Sequence, residues 1–403
     1  MSVRHVISGT GTVLVMLLVV NCGCRRQSPQ ESFEAGLAHA EAGSWKKAID
    51  AYSAALEGRP GWIDAYVNRG VAKAGLGDYA GAIKDYDEAL RLDPEDTDAL
   101  VNRGAARHEL GQYGEALEDY TEALAADQND VDAYRNRALT FRAAGELVAA
   151  VEDYAAAIRL DPNDVGLYRE RAAVRREQED EDAAAMDDAL AELTEAIAAA
   201  PQDAVPRRRR GLAFFEVGEY VLALSDLSDA IRLAPEYAET YVARAHAWYI
   251  QGYSDTAIED YTEALDRGVE AASEAYAGRG NAYESLGNTA KAVADYAEAV
   301  RLDPNDEDTP MQLAWILATY PAPQYRDGKR AVELAARAVA LTDGRHWRAL
   351  DVMAAACAEA GNFDDAKKYA EYSLDLAPPD QRDAVQERLT LYRSSQPYHE
   401  LAE

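Results

Sequence analysis

The chain has 403 residues, of which 41 are Lys or Arg and 72 are Asp or Glu, so its formal net charge at pH 7 is −31. Nucleic-acid phosphates and anionic lipid surfaces repel a protein this acidic, which argues against a DNA- or RNA-binding role. Hydrophobic residues make up 48% of the sequence and charged residues 28%. This composition is too apolar for a disordered chain, and its Ala- and Glu-rich runs predict an all-α protein.

The N-terminal segment has the layout of a secretory signal. Residues 1–21 carry Arg4 and then an apolar run from Val6 to Val20, which is too short for a comfortable membrane span. The segment resembles a bacterial lipoprotein signal, in which a cysteine becomes lipid-modified and forms the mature N-terminus. The resemblance implies a signal peptide over 1–21, lipidation of Cys22 and a short tether over 22–28.

Three alternatives stay open for this segment. Cys24 is a second candidate for lipidation, because Gly23 suits the place before the modified cysteine. Arg25 and Arg26 favour retention of the segment as an uncleaved anchor, since positive charge beside an apolar run stays inside. A plain secreted protein is the third alternative. The expectation is a membrane-attached lipoprotein of the cell envelope that faces the periplasm or the exterior, with membrane contact only through this lipid anchor.

Residues 29–306 contain a sequence repeat with a period of 34 residues. The repeat is clearest in GDYAGAIKDYDEAL at 77–90, GQYGEALEDYTEAL at 111–124 and GYSDTAIEDYTEAL at 252–265. Three columns recur in it: an alanine column at Ala48, Ala82, Ala116, Ala150, Ala189, Ala223, Ala257 and Ala292; a large-residue column at Tyr52, Tyr86, Tyr120, Tyr154, Leu193, Leu227, Tyr261 and Tyr296; and a second alanine column at Ala55, Ala89, Ala123, Ala157, Ala196, Ala230, Ala264 and Ala299. Spacings of four and three place the columns on one face of a helix.

These columns resemble the tetratricopeptide repeat in eight successive units. The resemblance implies a right-handed superhelical solenoid of paired antiparallel helices. It also implies that residues 307–379 form two degenerate helical hairpins and that residues 380–403 form a capping helix and tail. A polar cap at the end is expected, because the last unit of a solenoid has no neighbour to cover it.

Two units carry insertions relative to the repeat. The fifth unit has five extra residues within the acidic stretch at 177–188, and the seventh has one near Gly268. Both insertions are expected to lie in loops.

An arginine and an acidic residue recur together in seven of the eight units. The pairs are Arg69 and Asp85, Arg103 and Asp119, Arg137 and Asp153, Arg171 and Glu192, Arg210 and Asp226, Arg244 and Asp260, and Arg279 and Asp295. The first unit has Ala35 and Ala51 at these places, so arginine and acid are present together or absent together. This pattern predicts an ion pair inside each unit with a structural role, and the alternative is a row of arginines that binds a ligand.

Two further sets of residues are candidates for ligand binding. Asn68, Asn102 and Asn136 occupy one place in three consecutive units, and the resemblance implies that such a row binds the backbone of an extended peptide; the alternative is a solvated helix face. The family's inward-facing places in units four to six hold Arg135, Arg142, Arg169, Arg176, Arg208 and Arg209, followed by Phe215, His246 and Tyr249. These arginines predict a groove for an acidic ligand, and the alternative is neutralisation by Glu170, Glu177 and Glu216.

The sequence carries no pattern typical of catalysis or metal binding. Its six histidines lack metal-ligand spacing, and neither a phosphate-binding glycine loop nor a Gly-x-Ser-x-Gly elbow occurs. Cys357 lies in an alanine-rich run that predicts a small buried hydrophobe. We therefore expect a non-catalytic scaffold that needs no cofactor or metal and binds a protein or peptide partner, acidic in character, in its concave groove. The alternatives are a structural spacer or assembly subunit of an envelope complex, and a subunit that presents substrates to an enzyme.

Overall fold

The computed structural model describes residues 27–401. Cys22, Cys24 and the apolar run before them lie outside the described residues, so the predictions for the signal and the lipidation site stay predictions. Within 27–401, no helix combines the length and the apolar character that crossing a membrane requires.

Residues 27–401 form 21 α-helices and one short 3₁₀ helix at Pro323–Tyr325, and this part of the chain contains no β-strand. The predicted all-α class is therefore confirmed. The chain divides into two compact units, Met1–Ala199 and Ala200–Glu403. The helices of unit 1 are α1 (Pro29–Glu41), α2 (Trp45–Gly58), α3 (Ile63–Gly75), α4 (Tyr79–Leu92), α5 (Thr97–Glu109), α6 (Tyr113–Ala126), α7 (Val131–Ala144), α8 (Leu147–Leu160), α9 (Val165–Glu177) and α10 (Glu181–Ala199). The helices of unit 2 are α11 (Ala204–Glu216), α12 (Tyr220–Leu233), α13 (Ala238–Ile250), α14 (Ser254–Asp266), α15 (Ala272–Ser285), α16 (Thr289–Leu302), α17 (Asp308–Thr319), α18 (Gly328–Leu341), α19 (Trp347–Glu359), α20 (Phe363–Leu376) and α21 (Arg382–Arg393).

Each hairpin packs small residues against one large ring. In the second hairpin, Ala82, Tyr86 and Ala89 of α4 are fully buried against α3. A Cβ added to Gly70 would lie 2.5 Å from the Tyr86 ring, so only glycine gives this ring its full space. At the turn between the two helices, Gly77 has φ +80°, a conformation that costs glycine little. Small residues and a ring at repeat spacing therefore produce the hairpin.

The first helices of neighbouring hairpins also contact one another within each unit. In unit 1, α3 contacts α5 and α5 contacts α7; in unit 2, α11 contacts α13 and α13 contacts α15. The first helices therefore form what we call the inner face of each unit, and the second helices pack behind them.

The fifth hairpin contradicts the predicted position of its insertion. Helix α10 runs over 19 residues, whereas second helices such as α4 have 14. The five extra residues therefore extend a helix and do not form a loop. The turn before α10 is short, and Asp180 accepts a hydrogen bond from the Ala183 backbone N–H at 3.1 Å within it. The alanine-rich composition of this stretch favours the longer helix. The single extra residue near Gly268 does lie in the loop between α14 and α15, as predicted.

The insertion also shifts the ion pair of this hairpin. Arg171 donates to Asp187 from Nε at 3.0 Å and from Nη2 at 2.5 Å, and Glu192, its predicted partner, is exposed. The prediction placed the extra residues before the acidic partner. In the structure Arg171 and Asp187 keep the 16-residue separation of the other hairpins, and the extra residues lie toward the C-terminal end of α10. Ala184 and Ala191 are accordingly buried in this helix, whereas the predicted column residue Ala189 is exposed.

The other six predicted pairs form within their hairpins. Each arginine donates to its aspartate across a separation of 16 residues, at distances of 2.6 to 2.7 Å for the shortest contact. The pairs are Arg69–Asp85, Arg103–Asp119, Arg137–Asp153, Arg210–Asp226, Arg244–Asp260 and Arg279–Asp295. Burial raises the pKa of Asp119, and its hydrogen bonds from Arg103 oppose that rise. These pairs link the two helices of a hairpin.

The last hairpins of unit 2 share an apolar core and receive the C-terminal tail. Cys357 lies in this core, where burial raises the pKa of its thiol to about 11, as expected for a small buried hydrophobe. The tail follows α21 and returns to α17: the Glu400 N–H donates to the Thr319 carbonyl at 2.8 Å, and Trp315 Nε1 donates to the Glu400 carboxylate at 2.7 Å.

Candidate ligand-binding pockets on the inner face

The three asparagines predicted as ligand contacts are buried in the first helices α3, α5 and α7. Asn68 is 7% exposed, Asn102 2% and Asn136 0%, so the alternative of a solvated helix face is wrong. Asn68 and Asn102 each donate from Nδ2 to the carbonyl four residues earlier in their own helix, at 2.8 Å. The amide groups are therefore held in fixed orientations at the seam between hairpins.

Asn102 lies at the wall of an open pocket in unit 1, which we call the Asn102 pocket. The pocket has a volume of about 270 Å³ and is lined by Trp45, Val71, Ala74, Gly75, Tyr79, Tyr86, Asn102, Ala105, Ala106 and Glu109. The Oδ1 atom of Asn102 is buried and has no hydrogen-bond partner. A buried acceptor without a partner costs free energy, which a ligand that donates to it would recover.

The floor of this pocket is the ring of Tyr86, whose hydroxyl is also buried without a partner. The same column residue behaves differently in the eighth hairpin, where the Tyr296 hydroxyl donates to Asn281 Oδ1 at 2.7 Å and lies 2.6 Å from Glu284. Burial raises the pKa of both tyrosines, so both hydroxyls stay protonated. The Tyr86 hydroxyl therefore remains a polar group without a partner beside the Asn102 pocket, whereas the Tyr296 hydroxyl is satisfied within its own hairpin.

The inward arginines of α7 are paired with carboxylates of α9 and of its N-cap residue, Asp164. Arg135 donates to Glu170 at 2.9 Å from Nε and to Asp164 at 3.1 Å from Nη1. Arg142 donates to Glu177 at 2.9 Å. Hydrogen bonding to these carboxylates raises the pKa of both guanidinium groups. These two arginines are therefore neutralised within unit 1 by Glu170 and Glu177, as the alternative prediction expected.

The two predicted inward arginines of α9, Arg169 and Arg176, are paired with carboxylates of α10. Arg169 donates to Glu195 at 2.6 Å, and Arg176 donates to Asp188. All four of these side chains are more than 40% exposed. The partners come from the helix that the insertion lengthened, so the spacing of the repeat did not identify them.

In unit 2 the predicted ligand residues surround a second opening, the Phe215 pocket. Its volume is about 360 Å³, and its lining includes Arg208, Phe215, Glu216 and His246. Arg208 lies over the ring of Tyr237, 5.9 Å from its centroid. Arg209 is exposed on the same helix and does not line this pocket.

A third opening, the Tyr261 pocket, brings His246 together with Tyr249. Its volume is about 580 Å³, and it is lined by His246, Tyr249, Tyr261, Ser273, Glu274, Ala277, Gly278, Asn281, Asp303, Asp306, Asp308, Thr309, Gln312 and Arg348. The tyrosine floors and the acidic lining of these pockets were not among the predicted site residues. The tyrosine column was visible, but it predicted only packing.

Among residues 27–401, no group of three or more His, Cys, Asp or Glu side chains is arranged to hold a metal ion. The polar groups that converge on the pockets are amides, hydroxyls, carboxylates and guanidinium groups. Such groups hold ligands by hydrogen bonds and charge.

Comparison with known sequences identifies part of the repeat. Family models described as tetratricopeptide repeat match residues 67–131, 108–165 and 273–306. A search of curated proteins found no relative with significant similarity.

Solved structures with a similar fold were also found. MamA from Desulfovibrio magneticus RS-1 is 23% identical, over 42% of this chain and 95% of that one, with a TM-score of 0.40. Yeast Tom70 is 17% identical, over 91% of this chain and 96% of that one, with a TM-score of 0.39. The first tetratricopeptide-repeat domain of Spaghetti (RPAP3), solved with the HSP90 peptide SRMEEVD, is 27% identical, over 31% of this chain and 99% of that one, with a TM-score of 0.29. These likenesses concern the fold alone.

Proposed function

We propose that this chain, which contains tetratricopeptide repeats, is a non-catalytic scaffold that binds a peptide or protein partner on its inner face, outside the cytoplasm. The observation that carries the proposal is the Oδ1 atom of Asn102, a buried acceptor without a partner in the wall of an open pocket. A structural spacer, the alternative function, needs no such group.

The Asn102 pocket suits an extended peptide. Asn102 Oδ1 accepts a backbone N–H of the ligand, while Nδ2 stays bonded to the Asp98 carbonyl and fixes the amide. An apolar ligand side chain fits between Val71, Ala74 and Tyr79, which line the same pocket. Fixing the amide in advance lowers the ordering cost of binding.

We propose further that the partner is acidic and that its carboxylates exchange with those of the protein. Arg142 and Arg176 are paired with Glu177 and Asp188, whose side chains are 44% and 43% exposed. Exposed ion pairs contribute about 0–1 kcal/mol each, so a ligand carboxylate can replace the internal one at small cost. The buried hairpin pairs, such as Arg137–Asp153, cannot exchange in this way because their aspartates are covered.

Fluorescence polarisation with labelled peptides tests the backbone contact. The probe is the peptide Gly-Leu-Glu-Glu-Leu-Gly, with a matched version in which glutamine replaces glutamate. Asn102→Ala should weaken binding of the probe about threefold to tenfold, which corresponds to one lost hydrogen bond.

Asn68→Ala is the matched control, because Asn68 makes the same bond to its own helix and does not line the pocket. Equal binding by both variants and the wild type would exclude Asn102 as a contact.

The acidic preference is tested on the same peptides. The double variant Arg142→Gln/Arg176→Gln should weaken the glutamate peptide about tenfold and leave the glutamine peptide unchanged. Arg301→Gln removes an exposed arginine of α16 that pairs with Glu298, and it serves as a control for lost positive charge. If the double variant binds both peptides as the wild type does, the arginines only neutralise their neighbours.

The envelope location is tested by fractionation. Cys22→Ala should release the protein into the soluble fraction, because the proposal places the lipid on Cys22. Loss of anchoring in Cys24→Ala alone would transfer the assignment to Cys24. Membrane attachment retained in both variants would indicate an uncleaved anchor.

A further inference from the structure

The Tyr261 pocket differs from the Asn102 pocket in its charge. Four carboxylates line it, those of Glu274, Asp303, Asp306 and Asp308, against one guanidinium group, that of Arg348. Arg348 also lies close enough to Asp351 to oppose the rise in pKa that burial imposes on that carboxyl. Acidic groups therefore dominate the lining of this pocket.

Two of these carboxylates have a role in local structure. Asp306 accepts hydrogen bonds from the backbone N–H groups of Asp308 and Thr309 at 3.0 and 3.2 Å, and Asp303 accepts one from Asn305 at 2.8 Å. Glu274 and Asp308 are exposed at the starts of α15 and α17. These two side chains can turn toward a ligand without breaking a cap.

The floor of the pocket is a buried hydroxyl. Tyr261 is 0% exposed, and its hydroxyl has no hydrogen-bond partner. A Cβ on Gly278 would lie 2.5 Å from this oxygen, so the glycine lets the hydroxyl reach the first helix α15. Tyr296, the next residue in the column, has its hydroxyl satisfied by Asn281 and Glu284. The Tyr261 oxygen is thus an acceptor that a donor in the pocket would satisfy.

Aromatic rings form the rest of the wall. The His246 ring lies 5.4 Å from the Tyr261 ring and 3.6 Å, at Nδ1, from the Glu274 carboxylate. Burial lowers the pKa of His246 more than Glu274 raises it, so the imidazole is neutral at pH 7 and repels no cation. Tyr249 adds a second phenol ring to the lining. Rings of this kind attract cations through their faces.

We infer that the Tyr261 pocket binds a basic side chain, lysine or arginine, presented by a partner protein. The charged head lies between Glu274 and Asp308 and donates to the Tyr261 hydroxyl, and its methylene stem packs on His246 and Tyr249. This inference rests on the proposed scaffold function and extends it, because it gives unit 2 a charge preference opposite to that proposed for unit 1.

The test uses three labelled peptides that differ at one position: Gly-Leu-Lys-Leu-Gly, the same peptide with norleucine for lysine, and the same peptide with glutamate. The full-length Arg142→Gln/Arg176→Gln variant, which lacks the site proposed for acidic ligands in unit 1, should bind the lysine peptide at least fivefold more tightly than the other two, and added salt should reduce this difference. Equal binding of the lysine and norleucine peptides by this variant, or its preference for the glutamate peptide, would overturn the inference.

Variants then locate the site. Glu274→Gln/Asp308→Asn should weaken the lysine peptide at least fivefold, and Ala277→Leu should weaken it by filling the pocket. Glu236→Gln/Glu259→Gln is the matched control, since both residues are exposed in unit 2 and neither lines the pocket. Unchanged binding in both pocket variants would place the lysine elsewhere and overturn the inference.

These experiments distinguish failure of the inference about the Tyr261 pocket from failure of the scaffold proposal. Asn102→Ala should leave the lysine peptide unaffected, because Asn102 lies in unit 1. If the glutamate peptides bind as proposed and the lysine peptide does not, only the inference about unit 2 fails. If no peptide binds at all, the scaffold proposal fails with it.

Discussion

Two arginine–aspartate pairs join the same two helices, α9 and α10, and differ in burial. Arg171 and Asp187 have side chains 6% and 0% exposed, whereas Arg176 and Asp188 are 44% and 43% exposed. The chemical groups are the same and the aspartates are adjacent in sequence. Burial therefore decides which pair belongs to the fold and which is available to a partner.

The energetics explain the division. Removing one partner of a buried pair leaves an uncompensated charge in the interior, which costs about 3–5 kcal/mol. Removing one partner of an exposed pair costs about 0–1 kcal/mol, because water replaces the lost contact. Exposed ion pairs such as Arg176–Asp188 can therefore exchange a carboxylate with a ligand, whereas buried pairs such as Arg171–Asp187 stay intact.

The largest predicted effect comes from breaking the buried pair. Asp187→Ala should lower the free energy of unfolding by about 3–5 kcal/mol, because Arg171 and Arg175 both lose their carboxylate. Asp188→Ala should lower it by less than about 1 kcal/mol. Urea denaturation followed by circular dichroism measures both.

Glu192→Ala serves as a further control, because Glu192 is exposed and does not belong to the Arg171–Asp187 pair. A loss in Glu192→Ala as large as that in Asp187→Ala would contradict the position assigned to the insertion.

A second buried pair lies outside the regular repeats. Arg388 of α21 donates to Asp351 of α19 at 2.7 Å, and the side chains are 11% and 4% exposed. Arg388→Ala should destabilise the protein by about 3 kcal/mol, near the lower end for a buried pair. Arg393→Ala, which removes an exposed partner of Glu371, is the control for the same helix. Thermal unfolding of the two variants distinguishes them; equal midpoints would show that burial does not set the cost here.

The 34-residue repeat predicted the hairpins because its recurring small and aromatic residues are the ones that pack between the two helices of each hairpin. Tyr86 and its two flanking alanines are fully buried, as their positions on one helical face required. The register of α10 in the fifth hairpin was predicted wrongly, because an alanine-rich helix has alanines at suitable positions in two different registers. Ala189 and Ala184 both fit the column, and only the packing of α10 against α9 selects Ala184.

The candidate site was predictable in its residues and not in its geometry. Asn102 was identified from its place in the repeat, but its burial and its free Oδ1 depend on side chains from other hairpins. The pairing of Arg176 with Asp188 depends on the lengthened α10. The Tyr261 pocket depends on Gly278 and on the way acidic residues at the end of α16 and the starts of α15 and α17 converge, which the repeat spacing does not show.

A smaller effect is expected from pH. Burial lowers the pKa of His246 below its ordinary value of 6.5, so the unfolded chain takes up the proton first as the pH falls. The neutral ring therefore stabilises the folded protein above about pH 6.5. This stabilisation is lost as the pH falls below 6.5, because the unfolded chain then binds a proton that the folded chain does not. His246→Gln should therefore lose less stability than the wild type between neutral pH and about pH 5.5. Chemical denaturation at the two pH values measures this, and identical losses would exclude His246 as the titrating group.

The smallest effect on stability is expected on the inner face. Arg142→Gln should change the free energy of unfolding by less than about 1 kcal/mol, because its pair with Glu177 is exposed to water. Arg137→Gln, five residues earlier in the same helix, should cost several times more, because Asp153 is buried. Urea midpoints that rank the two variants in the opposite order would contradict the distinction between exchangeable and structural pairs.

The affinity of the Gly-Leu-Glu-Glu-Leu-Gly peptide for the double variant Glu177→Gln/Asp188→Asn decides whether ligand carboxylates exchange with those of the exposed pairs. This variant removes the internal carboxylates and leaves Arg142 and Arg176 in place. If a ligand's carboxylates exchange with those of the protein, the variant should bind the peptide about tenfold more tightly than the wild type, with an unchanged unfolding midpoint. Unchanged or weaker binding would contradict the claim that the exposed pairs are a site for an acidic partner.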